Sequence, residues 1–172
     1  MAVRTALTPA TLEERAVLEN LTQLYSYDWS ELCHLDVGDD GRFGGASLEP
    51  YWTDSWRHPF LIRVDGKLAG FALIAERSRL TGKSGVFDMA EFFVMRRFRR
   101  KRVGFAAAFA AFHRFRGAWE IRQRDENPAA TGFWRRVIGD FTEGSYQEVR
   151  WDRPEWSGLV QRFWTGAEPA PP

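Results

Sequence analysis

Two carboxylates and a dense run of cations occupy one short stretch in the middle of this 172-residue chain. Asp88 and Glu91 come first. Arg96, Arg97, Arg99, Arg100, Lys101 and Arg102 follow, six cations in seven positions. Glu91 lies in the apolar run Ala90 to Met95. A carboxylate shielded there holds its proton to higher pH than usual, which suits a general base; a structural hydrogen bond is the alternative. On a regular strand, residues three apart point to opposite faces, so at most one of Asp88 and Glu91 is expected in a pocket. His34 and His58 are the remaining candidates for a base. Taking the six cations from the chain's 24 basic residues leaves 18 against 23 acidic ones, so positive charge is concentrated at this one place. Gly104 follows after Val103, and Phe105, Phe109, Phe112 and Phe115 then recur at helical spacing. A helix N-terminus presents unpaired N–H groups and the positive end of its dipole, and a glycine there lets an anion approach the backbone. The chemistry implied is phosphate binding beside a candidate base.

The elements that must hold these residues are a strand, a turn and a helix, in that order. Glu91 to Met95, rich in aromatic and β-branched residues, predicts a buried strand. Arg96 to Gly104 is the turn, and the phenylalanine repeat predicts a helix with a wide apolar face. Upstream, Ala2 to Leu7 predicts a strand. Thr8-Pro9 reads as a helix start, with Thr11 and Glu14 a second capping choice, and Val17, Leu18, Leu21, Leu24 and Tyr25 give the helix one apolar face. Ser26 to Trp56 reads as irregular and aromatic-rich, either a binding loop or a cover over a small core. Asp65-Gly66-Lys67 between apolar runs predicts a hairpin of Pro59–Val64 with Leu68–Glu76, and Thr81-Gly82-Lys83 leads into a further strand from Val86. Downstream, Gly117 reads as a helix C-cap and Ala118 to Arg124 as a strand. Asn127 with Pro128 reads as a helix start, and Phe141–Arg150 and Ser157–Trp164 as last strands. The fold class expected is α+β: a mixed, mostly antiparallel sheet flanked by helices, opening between the strand ending at Met95 and the one beginning near Ala118. One domain over residues 1–166 and a loose tail over 167–172 are expected.

Composition narrows the function. With 44% hydrophobic residues, fourteen phenylalanines and eight tryptophans, the chain can bury a real core. Its net charge of +1 argues against a general nucleic-acid binder, and only Phe98 interrupts the basic run where base stacking would need aromatics. Cys33 is the single cysteine, which leaves no internal disulfide or cysteine-based zinc site. No metal site is expected. The longest small-and-apolar run, Val103 to Phe112, is too short to span a bilayer, and the N-terminus has no secretory pattern, so a reducing, cytoplasmic setting is the default expectation.

The central stretch resembles a known family. Val94-Met95 followed by Arg99-Arg100-Lys101-Arg102-Val103-Gly104-Phe105-Ala106 is similar to motif A of the GNAT N-acetyltransferases, Gln/Arg-x-x-Gly-x-Gly/Ala after a strand and opening a helix. Arg99 takes the first place and Gly104 the last, while Arg102 stands where the first glycine is usual. Asn127-Pro-Ala-Ala130-Thr-Gly-Phe133-Trp134 resembles the family's Asn-x-x-Ala-x-x-Phe-Tyr segment. The resemblance implies acetyl-CoA as cofactor and an amine as acceptor, with a homodimer left open. It implies that backbone groups of Phe93, Val94 and Met95 take the pantetheine arm, and that a Val94 or Met95 N–H polarises the acetyl carbonyl. The pyrophosphate would lie on the amides of Arg99, Arg100, Lys101, Arg102, Val103, Gly104, Phe105 and Ala106, with the four cationic side chains meeting the diphosphate or the 3′-phosphate. Asn127 would touch the cofactor arm or simply cap its helix, and Phe133 and Trp134 belong to the same motif. Asp88 stands where family members often carry a carboxylate, and Ser26–Trp56 falls where the acceptor pocket is shaped.

Acetyl transfer needs a positioned thioester, a route for the amine proton and support for the oxyanion. The family's usual acid is the tyrosine that Trp134 replaces, and an indole N–H cannot usefully give up its proton. Three outcomes stay open. The thiolate leaves unassisted, since a thiol pKa of about 8.5 makes it a tolerable leaving group. Tyr25, Tyr27, Tyr51 or Tyr146 substitutes. Or the protein binds acyl-CoA as a sensor with little turnover.

Overall fold

A computed structural model of the chain describes residues 4–154 and 156–166. The expected tail, and Ala2 and Val3 of the expected first strand, lie outside the described residues. Seven strands run β1 Thr5–Pro9, β2 Arg57–Val64, β3 Lys67–Arg77, β4 Ser84–Val94, β5 Gly117–Gln123, β6 Tyr146–Arg153 and β7 Trp156–Thr165 among those residues. They form one sheet in the order β1-β2-β3-β4-β5-β7-β6. Every neighbouring pair is antiparallel except β4 with β5, which is parallel. The mixed, mostly antiparallel sheet expected from the sequence is therefore present.

Local chemistry accounts for most of these elements. Asp65 (φ 48°) and Gly66 (φ 79°) make the β2–β3 turn, the left-handed pair that a two-residue hairpin requires. Helix α1, Arg15–Cys33, follows a short turn of 3₁₀ helix closed by the Thr11–Glu14 capping box. Pro9 ends β1 instead of starting that helix. Helix α2 is a single turn, Pro50–Thr53; helix α3 spans Val103–Arg114 and helix α4 Pro128–Thr142. Asn127 accepts a hydrogen bond from the Ala130 N–H at 3.0 Å, the N-cap its sequence context suggests.

Three expectations need correction. Ser26 to Cys33 is helical, because α1 continues two further turns: Tyr25 packs edge-on against Phe71 and Trp29, and Asp28 pairs with Arg96 and Arg99. Only His34, in left-handed conformation, ends it. Phe141 and Thr142 close α4 rather than opening a strand, because Phe141 packs against Phe109 and Phe112 of α3. Gly117 (φ 149°) opens β5 and is not a cap; α3 has already ended at Phe115.

The sheet is covered on both faces. Leu18, Leu21 and Tyr51 from α1 and α2 pack on Leu61, Phe71, Leu73 and Phe93. On the other face Ala108, Ala111 and Phe112 of α3 and Trp134, Val137 and Ile138 of α4 pack on Phe60, Ala72, Ile74, Met89, Trp119 and Ile121. Gly70 lets β3 approach β4 closely: a Cβ there would stand 1.9 Å from the Phe93 carbonyl oxygen.

Two departures from regular pairing on β4 create the site. β4 and β5 pair only through Val86–Ala118, Phe87–Trp119 and Asp88–Glu120, and beyond that point they separate, as the sequence order predicts. On its other side β4 holds Glu91 opposite Leu73 but Met89 opposite Ile74, so Ala90 is an extra residue, a β-bulge. Among the described residues no helix is long and apolar enough to cross a membrane.

Candidate active site

The bulge at Ala90 shifts the alternation of β4 by one residue. Asp88 faces with Ala75 and Glu91 with Leu73, two β3 positions on the same face. The expectation that the two carboxylates point to opposite faces is overturned. Both line a cavity of about 730 Å³ between β3–β4, α1, α2 and the segment 42–48. A second cleft of about 390 Å³ lies where β4 and β5 separate. Met89 to Phe92 and Arg122 to Arg124 form its walls, with Asn127, Ala130 and Trp134 of the α4 end closing it. Tyr25, Arg79, Ala90 and Glu91 line both spaces, so the two meet at Glu91.

The two carboxylates have different surroundings. Asp88 is buried, 1% exposed, and accepts two hydrogen bonds of 3.1 Å from Arg122. Burial pushes its carboxyl up and the Arg122 guanidinium pulls it back. Glu91 sits deep in the fold, but about a third of its side chain opens onto the cavities. Burial again pushes its carboxyl up; the Tyr25 hydroxyl, donating to Oε2 at 2.7 Å, and the charges of Arg79 and Arg122 act in the other direction. Tyr25 itself is raised well above the ordinary phenol range, by burial first and by Glu91 second, so it keeps its proton and serves as a donor. The tyrosines named from sequence divide accordingly. Tyr51 lines the larger cavity, with its hydroxyl pushed up to about 12 by burial. Tyr27 is exposed, and Tyr146 stands on β6, outside both spaces. His34 and His58 line neither; His58 pairs with Glu76.

The cationic turn leads from the end of β4 into α3. Arg100 (φ 59°) and Arg102 (φ 60°) are both left-handed, and Arg102 is the N-cap of α3. A non-glycine residue in that conformation costs about 1–2 kcal/mol, yet the turn keeps the geometry that a glycine would favour. The first bond of the helix runs from the Ala106 N–H to the Arg102 carbonyl, so the N–H groups of Val103, Gly104 and Phe105 lack helical acceptors. Arg99 is engaged elsewhere: it donates to the Val94 carbonyl at 2.7 Å and pairs with Asp28. Arg100, Lys101 and Arg102 are exposed at the helix N-terminus, with the Arg102 guanidinium 4.9 Å from the Phe105 ring centre. Gly104 answers to packing as well as to its helix position: a Cβ there would stand 3.0 Å from the Phe133 ring. Phe133 in turn stacks on Phe92, and Trp134 meets Phe92 edge-on at 5.1 Å. Phe93 and Val94 are buried at the end of β4, and the Met95 N–H is bonded to the Ala69 carbonyl.

Two residues of the site escape sequence reasoning. Arg122 reaches Asp88 only through the β4–β5 register, a contact 34 residues apart. Gln123 lines the cleft with both side-chain polar atoms shielded from water and without a hydrogen-bond partner among the described residues.

The family model described as "Acetyltransferase (GNAT) family" matches residues 16–139. The chain belongs to the GNAT acetyltransferase family. Solved GNAT-like structures share its fold at low identity. An acetyltransferase from Thermus thermophilus aligns with a TM-score of 0.64 and 12% identity, covering 95% of this chain and 98% of that one. PaiA N-acetyltransferase from Thermoplasma acidophilum, in complex with coenzyme A, gives 0.60 and 8%, with 94% and 99% covered. An aminoglycoside 6′-N-acetyltransferase complexed with coenzyme A gives 0.59 and 12%, with 95% and 99% covered. Among curated proteins none matches the chain.

As a GNAT acetyltransferase, the chain carries its bulged β4 and the tyrosine–glutamate pair at the meeting point of its two cavities. That pair makes a specific expectation. The Tyr25 hydrogen bond lowers the Glu91 pKa, so Tyr25→Phe raises it. If Glu91 must be ionised to work, the acid limb of the kcat/KM profile moves to higher pH in that variant. A limb unchanged in position would show that Glu91 is not the group that titrates.

Proposed function

We propose that this protein transfers an acetyl group from acetyl-CoA to a primary amine, with Glu91 accepting the amine proton. The observation that carries the reading is the meeting of two cavities at one partly open carboxylate whose pKa is raised by burial. The larger cavity takes the amine and the β4–β5 cleft takes the cofactor arm.

The cleft suits a coenzyme A arm on its own features. Past Asp88, β4 has no β5 partner, which leaves its edge for peptide-like amides to pair with. The shielded, unpartnered amide of Gln123 is a group that a bound amide would satisfy. The free N–H groups of Val103, Gly104 and Phe105, with Arg100, Lys101 and Arg102 around them, suit a diphosphate. The family resemblance assigns Phe93, Val94 and Met95 to the thioester end and Phe133 to the arm, while Asn127 and Trp134 line the cleft itself. Acetyl-CoA supplies the activated acyl group. The chain's own residues orient the arm, keep water out with Phe92 and Trp134, and hold the incoming proton at Glu91. Asp88 fixes Arg122 beside the cleft rather than exchanging protons itself.

Charge reversal at the turn tests the cofactor site. Lys101→Glu with Arg102→Glu is expected to weaken CoA binding by about 1.5–3 kcal/mol for each charge-assisted bond lost. Titration calorimetry giving equal affinity in variant and wild type would contradict the assigned phosphate site.

Trp134 favours a second reading, a CoA-binding sensor with little turnover. The residue is 5% exposed and packed on Phe92, and it offers no transferable proton to a leaving thiolate. Among the described residues Tyr25 is the one tyrosine lining the cleft, but its raised pKa makes it a donor rather than an acid of ordinary strength. Steady-state CoA release with a panel of amines decides between the readings: release above hydrolysis selects the enzyme, and tight CoA binding without release selects the sensor.

A further inference from the structure

The larger cavity carries more positive charge than its own carboxylates neutralise. Arg42, Arg57, Arg77 and Arg79 line it, against Glu19, Asp88 and Glu91. Most of these are already paired: Glu19 with Arg15, Asp88 with Arg122, Arg57 with Asp54 at 3.1 Å, and Arg79 loosely with Glu91 at 4.0 Å. Arg42 and Arg77 have no carboxylate partner within salt-bridge reach among the described residues.

Arg77 is also held in place. Its guanidinium lies 4.5 Å from the Trp56 ring centre, and Arg57 lies 4.2 Å from the same ring. An arginine stacked on an indole has its plane fixed and its N–H edge free, which is the arrangement that binds a carboxylate or phosphate in fork geometry. Its place on the strand sets the distance to the base. Phe71, Leu73, Ala75 and Arg77 are alternate β3 residues, and all four line the cavity. Glu91 stands opposite Leu73, so Arg77 is four residues further along, about 13 Å by the rise of a strand. The floor between them is Leu73 and Ala75, and the carboxylate beside Ala75, Asp88, is already paired with Arg122. The segment Gly44-Gly45-Ala46-Ser47 also lines the cavity and contributes only small side chains.

We infer that the acceptor is a small amine that also carries an anionic group, a carboxylate or a phosphate, and that Arg77 on its Trp56 shelf takes this group while the amine lies at Glu91. The inference rests on the acetyltransferase reading for the amine end but not for the anion end. Arg77 is a specificity-determining residue in this account and touches no reacting atom.

The test compares three probe series of matched chain length: ω-aminoalkanoates, aminoalkyl phosphates and neutral n-alkylamines. CoA release is measured with wild type, Arg77→Gln and Arg77→Lys. Acid-bearing amines are expected to exceed the neutral ones about 10- to 100-fold in kcat/KM, the range of one charge-assisted anion contact. Arg77→Gln is expected to collapse that preference through KM rather than kcat, and Arg77→Lys to restore part of it. The carboxylate and phosphate series identify which anion the site takes. Neutral amines used as well as acid-bearing ones, or a preference that survives Arg77→Gln, would overturn the inference and leave the acetyltransferase reading standing. Calorimetry of the same probes with CoA-loaded protein separates the opposite case. Arg77-dependent binding of the acid-bearing amines without any CoA release would sustain the anion subsite while the acetyltransferase reading fell. Equal binding of neutral and acid-bearing probes in that experiment would also overturn it.

Discussion

Glu91→Gln is expected to lower kcat about 10²–10⁴-fold, the range for loss of a positioned general base, with CoA affinity nearly intact. The cofactor contacts proposed for the turn and α3 do not involve Glu91, and glutamine keeps the shape and can still accept from Tyr25. Asp88→Asn is expected to cost less, because Asp88 is closed off by Arg122 rather than open to the amine. Stability gives a second readout with a definite sign. The folded protein holds the Glu91 proton more tightly than the unfolded chain does, since burial raises its pKa. Ionising it therefore costs stability, and the cost appears as pH rises from the unfolded carboxylate value through the raised folded one. Glutamine carries no such cost. Glu91→Gln is thus expected to melt higher than wild type at neutral pH, with the difference fading on acidification. Thermal unfolding across pH checks this; a variant that melts lower at pH 7 would mark Glu91 as a packing residue.

Arg122→Ala is expected to carry the largest stability effect, a loss of about 3–5 kcal/mol at neutral pH. Both partners of its pair are buried, at 8% and 2% side-chain exposure for Arg122 and Asp88. Without the guanidinium, Asp88 is an uncompensated charge, and its pKa rises further above the unfolded value. The deficit should therefore grow as pH rises through the acidic range and shrink as the carboxyl protonates at low pH. Asp88→Asn in the same chain should return most of the loss. Denaturant unfolding of the four members of this cycle measures the coupling, and additive losses would show that the pair is not what holds β4 to β5.

The strand–turn–helix unit was legible because all of its signals are local: an apolar run, a block of cations before Gly104, and phenylalanines at helical spacing. The separation of β4 from β5 followed from that order alone. What could not be read was non-local. Ala90 is bulged only because β3 sets the register of β4, and that one residue decides that Asp88 and Glu91 share a face. α1 runs on to Cys33 because Tyr25 and Asp28 find partners on β4 and the turn, between 66 and 71 residues away. The same distance hid the occupation of Arg99 by Asp28, so a cation that suits a phosphate in sequence is tied to α1 in the fold. Arg122 and Gln123 carry no signal in the sequence, because a polar residue near a strand end has no meaning until its neighbour is known.

The most direct measurement is steady-state assay of acetyl-CoA with a panel of primary amines, reading CoA thiol and acetylated amine together in wild type and Glu91→Gln. Wild type is expected to give equal amounts of the two products with an acid limb set by one group, and the variant to lose both products while CoA still binds. CoA bound tightly by wild type, with no acetylated amine from any acceptor at any pH, would contradict it.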